Sequence, residues 1–231
     1  MNQLRQDYLD AMGIRSWVPR DTESDTQPPF ESGDPRDDLQ LDVSAWTKLA
    51  EQVSTCTRCD LHQTRTQTVF GTGNQQADWL IIGEAPGADE DRQGEPFVGR
   101  AGLLLNEMLL AAGYGREDVY IANILKCRPP GNRNPRPEEV ACCHDYLQRQ
   151  IDLVDPRIIL AVGGIAAHNL LNTDTQVGRL RGVLHHYGER KIPLIVTYHP
   201  AYLLRSLLEK RKVWADLQFA LQVFRATSQE K

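Results

Sequence analysis

Four short apolar runs, at 79–82, 119–126, 157–162 and 193–198, are each bounded by glycine, proline or polar residues. Runs of that length with no polar alternation predict strands buried on both faces. Between them apolar residues recur at helical spacing. Leu104, Met108 and Ala111 follow Arg100, and a second helical stretch runs from Glu138 to Ile151 behind Pro137, a residue suited to a first helical turn. A third helix follows Gly163-Gly164 to Leu171, and a last one sets Trp214, Leu217, Leu221 and Phe224 on one stripe, read as core packing. Upstream, 43–53 repeats the pattern with Trp46, Leu49 and Val53, and Ser44 suits the N-cap. Strands alternating with helices predict an α/β chain, a three-layer α/β/α sandwich around a four-stranded parallel sheet. No internal repeat is visible.

Two segments precede that domain, which is expected over 43–231. Residues 1–20 hold Leu4, Tyr8 and Met12 on one helical face, then Gly13, Ile14, Trp17 and Val18. A helix this short is marginal alone, so its apolar face needs a surface to dock on, either its own domain or a partner. Residues 21–42 are acidic, contain proline and serine, and are poor in aliphatics, which predicts a disordered linker.

Composition alters this picture in two places. The net charge of −5 argues against nucleic acid, but 21–42 alone carries eight acidic residues against one arginine. That stretch is −7, so the rest of the chain is left at +2 and need not repel DNA. The N-terminus lacks the basic-then-apolar order of a secretory signal, and no apolar run approaches the roughly 18 residues that span a bilayer. An intracellular chain is the expectation. Five cysteines there point to metal or reactivity rather than disulfides.

The chemistry concentrates where the predicted strands end. The stretch 78–102 passes from the first strand into Gly83-Glu84-Ala85-Pro86-Gly87, a sharp loop carrying Asp89, Glu90 and Asp91, then Phe97, Gly99 and Arg100. Ligands of open α/β sheets sit at the carboxyl ends of strands. Three separate strands deliver Glu84, Asn123 and His199 to that edge, which with Phe97 predicts a pocket. The cysteines read C-x2-C at Cys56 and Cys59, then Cys127, then Cys142-Cys143. Four thiolates suit zinc or an iron–sulfur cluster, and the spacing does not choose between them. On a helix Cys142 and Cys143 diverge by about 100°, so only one of them faces a shared site.

Glu84-Ala85-Pro86-Gly87 with Glu90-Asp91, the PFVGRAG run, NILKCRPP with Asn132, and HPAYLLR resemble the family 4 uracil-DNA glycosylases, the iron–sulfur branch of that superfamily. The likeness covers about 53–205. It implies a 4Fe–4S cluster on Cys56, Cys59, Cys127 and Cys143, structural in role, with Cys142 spare. It implies that Asn123 reads the flipped base, that Phe97 stacks on it, and that His199 donates to the oxyanion forming at O2. Backbone N–H groups around Glu84 and Ala85 assist. Ala85 stands where better-known branches place an aspartate, so Glu84 or Glu90 is left to orient water or sugar, with Asn132 as the remaining polar partner. Gly87 stands where other branches carry a tyrosine that excludes thymine.

In HPAYLLR, the side chains Tyr202, Leu203 and Leu204 are read as a wedge filling the gap left by the flipped base. Arg205, Lys210, Arg211 and Lys212 are read as phosphate contacts. One subfamily bonds uracil-DNA covalently through a histidine in a basic insert; the corresponding GNRNPRP has neither, so that activity is not expected. The reading is therefore a monomeric uracil-DNA glycosylase of the bacterial cytoplasm, associated with the nucleoid, acting on uracil-containing DNA. Residues 1–20 resemble the N-terminal peptide of the psi subunit of bacterial clamp loaders, which makes a replication protein a candidate partner. Two alternatives stand beside it: a non-catalytic DNA-binding scaffold of the same fold, and a glycosylase for hypoxanthine or xanthine.

Overall fold

The computed structural model describes residues 43–228, so the expected docking helix of 1–20 and the linker of 21–42 lie outside the described residues. In chain order the elements are α1 (Val43–Ser54), β1 (Thr72–Gly73), β2 (Trp79–Gly83), α2 (Ala88–Gln93), α3 (Arg100–Ala111), β3 (Tyr120–Asn123) and α4 (Pro137–Val154). There follow β4 (Ile158–Val162), α5 (Gly164–Leu171), α6 (Val177–Leu180), β5 (His185–Tyr187), β6 (Ile192–Thr197), α7 (Pro200–Leu203) and α8 (Lys210–Ser228). Short 3-10 turns join several of them.

One sheet runs β1-β3-β2-β4-β6-β5. Its centre, β3-β2-β4-β6, is parallel and corresponds to the four strands read from the apolar runs. The sheet is nonetheless six strands wide, because β1 and β5 add antiparallel edges. These edges are two and three residues long and only partly buried, too little to leave a hydrophobic signature.

The parallel strands are buried on both faces, which is why their sequence does not alternate. Leu80, Ile82, Ile159, Ala161, Leu194 and Val196 pack with Trp46, Leu147, Ile151 and Ala166 under one helical layer. Trp79, Ile81, Ile121, Leu160 and Ile195 pack with Leu105, Leu109, Val213 and Leu217 under the other. Fully burying each such side chain contributes about 1.5–3 kcal/mol.

Four local expectations are corrected. The acidic loop after β2 is the six-residue helix α2, whose first turn holds Asp89, Glu90 and Asp91 where the helix dipole favours them. Ser44 falls within the first turn of α1 rather than at its cap. The second strand stops at Asn123: the Ile124 N–H makes the last ladder bond, to the Gly83 carbonyl, and the Leu125 N–H then donates to the Glu84 carbonyl beyond the end of β2 (3.0 Å each). Trp214 is 41% exposed, at the rim of the α3–α8 contact rather than in the core.

Parallel register brings the chemistry to one edge. Gly83 pairs with Asn123, and Val162 with Thr197 two residues before His199. Chain direction across the sheet reverses at β2, with β3 on one side and β4 and β6 on the other, so the crevice at their carboxyl ends is a topological switch point. Beneath it Asp216 is fully buried and accepts from Thr197 Oγ1 (2.8 Å) and from Arg181 Nε and Nη2 (3.0 and 2.8 Å). That ion pair fixes α8 and the end of α6 to the strand that carries His199. No helix among the described residues is long and apolar enough to cross a membrane.

Candidate active site

A cleft of about 490 Å³ opens at the carboxyl ends of β2, β3 and β6, within the size range of small-ligand sites. Glu84, Ala85, Gly87, Glu90, Phe97, Asn123, Asn132, His199, Tyr202 and Arg205 line it, so nearly every residue named from the motifs converges there. Pro129, Arg133, Asn134, Ala101 and Ala201 line it as well. Sequence reasoning missed these because they sit beside the motif residues and carry no distinctive pattern. A smaller cleft near β5, about 320 Å³, is lined by Asp152 and Arg190 and by Gln148 and Tyr187, polar groups that already pair with one another.

The floor is set by glycine. A Cβ on Gly83 would come within 2.4 Å of Asn123 Oδ1 and 2.5 Å of the Phe97 ring, so only glycine lets both lie over the end of β2. Asn123 is 3% exposed, and its Oδ1 is buried without a hydrogen-bond partner. A buried carbonyl oxygen left unmatched is costly, and this one lies at the floor of the cleft, an acceptor awaiting a donor. Phe97 is buried too, and its ring stacks near His199 at 5.6 Å between centroids and 28° between planes. Its φ of 54° is the left-handed region that bulky residues rarely occupy.

His199 caps α7. Its Nδ1 accepts from the Ala201 N–H at 3.1 Å, which leaves the ring proton of the neutral form on Nε2. Burial pulls its pKa down to about 4, the nearby Glu90 carboxylate working against that and Arg205 with it. The imidazole is therefore neutral at physiological pH and acts as a hydrogen-bond donor. Gly163 backs it closely, since a Cβ there would stand 3.0 Å from that of His199.

The two acidic candidates differ in their engagement. Glu90 is occupied: Oε1 accepts from the Val98 and Gly99 N–H groups (3.0 Å each), and Oε2 from the Gly87 N–H (3.1 Å). A Cβ at Gly87 would meet that Oε2 at 2.6 Å, so glycine here makes the clasp possible. The Glu84 carboxyl group makes no hydrogen bond among the described residues, and burial pushes its pKa above the ordinary range. Asn132, on the exposed rim, accepts at Oδ1 from Arg128 Nε (2.7 Å).

The expected wedge is also revised. Leu203 is 1% exposed and belongs to the core under α3 and α8, so it cannot enter DNA; helical periodicity turns it inward from α7. Tyr202 is 37% exposed on the cleft wall, while Leu207 and Leu208, outside the motif, stand at 64% and 84%. Leu204 is half-buried, and Arg205 is exposed and lines the cleft. Lys212 pairs at 2.8 Å with Glu209 in the turn just before α8, while Lys210 and Arg211 are exposed.

Beside the cleft Cys127 and Cys143 are buried together with Leu61 and Leu125, and Cys59 packs against them. Cys56 follows α1 and packs against a neighbouring apolar cluster with Val53 and Tyr146. Arg65 ties this region together, donating to Cys127 Sγ (2.9 Å) and to the Cys56 carbonyl (2.8 Å). Burial pushes the Cys143 thiol up to about 11, so a metal binding there must displace its proton. Cys142 faces elsewhere, its thiol toward the Arg58 carbonyl at 3.4 Å. No three His, Cys, Asp or Glu among the described residues converge tightly enough for one metal ion. Cys56, Cys59, Cys127 and Cys143 nonetheless lie near one another on this side of the cleft, and thiolates are the donors that zinc and iron–sulfur clusters both take.

Residues 70–218 match the family model of the uracil DNA glycosylase superfamily. A type-4 uracil-DNA glycosylase of Archaeoglobus fulgidus is 48% identical over 162 residues, 68% of this chain and 81% of the relative. One of Thermotoga maritima is 45% identical over 160 residues, 68% of this chain and 82% of the relative. A type-5 uracil-DNA glycosylase of Thermus thermophilus is 32% identical over 138 residues, 53% of this chain and 57% of the relative.

Proposed function

The chain belongs to the uracil DNA glycosylase superfamily, and on that premise we propose that it hydrolyses the N-glycosidic bond of uracil in DNA, releasing free uracil and leaving an abasic site. The observation that carries this reading is the buried, unpartnered Asn123 Oδ1 beside the Phe97 ring.

A uridine flipped into the cleft stacks on Phe97. Asn123 Oδ1 accepts from N3–H while its Nδ2 donates to O4, which gives the oxygen the donor it lacks within the protein. Cytosine presents the opposite pattern on that edge, so it would leave buried groups unmatched. As the C1′–N1 bond lengthens, negative charge gathers on the base. His199, neutral and oriented by the Ala201 N–H, donates from Nε2 to O2, and the Ala85 N–H adds a second donor. The bond breaks largely before water attacks, so the carboxylate's task is to orient that water and stabilise the sugar cation. Glu84 takes this role because its carboxylate is free, whereas Glu90 holds the loop. Water oxygen bonds to C1′, its proton passes to the carboxylate or solvent, and uracil departs as the anion.

Cys56, Cys59, Cys127 and Cys143 would hold a 4Fe–4S cluster, which would supply a covalent staple and no electron to the reaction. Tyr202 with Leu207 and Leu208 fills the vacated stack, and Arg205 contacts phosphate. The protein works as a cytoplasmic monomer, and residues 1–20 dock a replication protein.

The test is release of free base from oligonucleotides containing uracil, hypoxanthine or xanthine, with Asn123→Ala and His199→Ala alongside. Uracil release by the wild type, falling by about 10²–10³-fold in each variant, is the expected outcome. DNA binding without release of any base would replace the enzyme with a scaffold, and preferential release of hypoxanthine or xanthine would reassign the substrate.

A further inference from the structure

We propose that Arg116 is a positioning residue for the base-stacking ring, acting through the backbone of Phe97 without touching the substrate. The proposal rests on the reading of Phe97 as the aromatic under the flipped base.

Phe97 holds a φ of 54°, a conformation that persists only where its surroundings impose it. Two clamps surround it. On the C-terminal side, Glu90 Oε1 takes the Val98 and Gly99 N–H groups. On the other side the guanidinium of Arg116 straddles two successive carbonyls, Nη2 donating to Pro96 O and Nη1 to Phe97 O (3.3 Å). The same Nη1 reaches Asn106 Oδ1 on α3 at 3.2 Å, so the arginine also ties this loop to the helix that follows it. A Cβ on Gly102 would sit 1.8 Å from the Phe97 carbonyl, which shows how closely α3 presses on the same peptide.

Arg116 lies in the turn just before β3, 19 residues beyond Phe97, and is absent from the cleft lining. Its hydrogen bonds toward the cleft go to the Pro96 and Phe97 carbonyls, the two successive peptides that carry the ring. A planar fork of donors meets two adjacent carbonyl oxygens; a lysine ammonium on a flexible stem serves one of them well. With the fork gone, both carbonyls lose their donors and the left-handed turn is free to relax. The Phe97 ring then leaves its place over Gly83, where Asn123 and the ring share a floor too tight for a Cβ.

The experiment is a double-mutant cycle on the full cluster-loaded chain, with Phe97→Ala, Arg116→Ala, Arg116→Lys and the combinations. Two quantities are read, the single-turnover rate of uracil release at saturating DNA and the inhibition constant for free uracil. Arg116→Ala is expected to slow release about tenfold to hundredfold and to weaken uracil inhibition in parallel. Arg116→Lys should lie between it and the wild type. In the Phe97→Ala background, removing Arg116 should change release by less than about twofold, because the ring it positions is already gone. A full Arg116→Ala penalty in that background, or no penalty in the wild-type background, overturns the proposal. If Arg116→Ala does not fold, the lysine variant carries the same cycle. Should Phe97→Ala itself release uracil normally, the reading of Phe97 falls and takes this one with it. An impaired Phe97→Ala beside a normal Arg116→Ala removes this proposal alone.

Discussion

His199 occupies its place only as a neutral ring, and that has a consequence for stability. In an unfolded chain it titrates near 6.5, whereas burial in the cleft wall holds it to about 4. Between those values the unfolded chain binds the extra proton, so this contribution is complete above pH 6.5 and lost as pH falls toward 4. Its size is about 3 kcal/mol. Denaturant unfolding of the wild type and His199→Gln at pH 7 and pH 4 checks it. The stability difference between the two proteins should move by about that amount in favour of the variant on acidification. A gap that stays constant between the two pH values would mean the ring is not held neutral. The same reasoning predicts no inflection in uracil release near pH 6.5, since the donor keeps one protonation state through that range.

At the scale of elements, legibility followed burial. The four central strands were readable because each is buried on both faces and so spells a continuous apolar run, and their ends placed Glu84, Asn123 and His199 correctly at one edge. The edge strands were not, being short and half exposed. Helix α2 was hidden because Pro86-Gly87 and three acids read as a loop, although acids in a first turn are what a helix dipole prefers. The different engagement of the Glu84 and Glu90 carboxyl groups was equally hidden, since Glu90 is held by backbone N–H groups eight and nine residues further on. The Arg181–Asp216–Thr197 contact was also beyond reach, for its members are 35 and 19 residues apart. It joins α8 to β6 across the core, and Asp216 is fully buried with its acceptors filled. Asp216→Ala leaves Arg181, itself mostly buried, without its carboxylate and should cost about 3–5 kcal/mol in urea unfolding. A loss under about 1 kcal/mol, as for a surface pair, would show that the contact does not hold α8 to the sheet.

Across the whole molecule, the cysteines join parts that the sheet leaves separate. Cys56 and Cys59 follow α1, Cys127 follows the end of β3, and Cys143 sits inside α4, so the proposed cluster would bind the first described helix to the loop that follows Asn123. Binding free energy at such a site is folding free energy, because no preformed ring of thiolates exists in the unfolded chain. The adjacent pair on α4 tests this directly, since Cys143 is buried among the other thiols and Cys142 turns to the Arg58 carbonyl. Either replacement removes the same sulfur at adjacent helix positions, and because the buried Cys143 also loses packing, iron and sulfide content decide the comparison rather than melting alone. Cys143→Ala should lose the visible absorbance, iron and sulfide of the cluster and melt at a lower temperature. Cys142→Ala should keep all of these. Loss in both would make the pair jointly necessary, against the roughly 100° between neighbouring side chains on a helix. Retention in both would remove Cys143 from the ligand set and leave the loop after β3 without its staple.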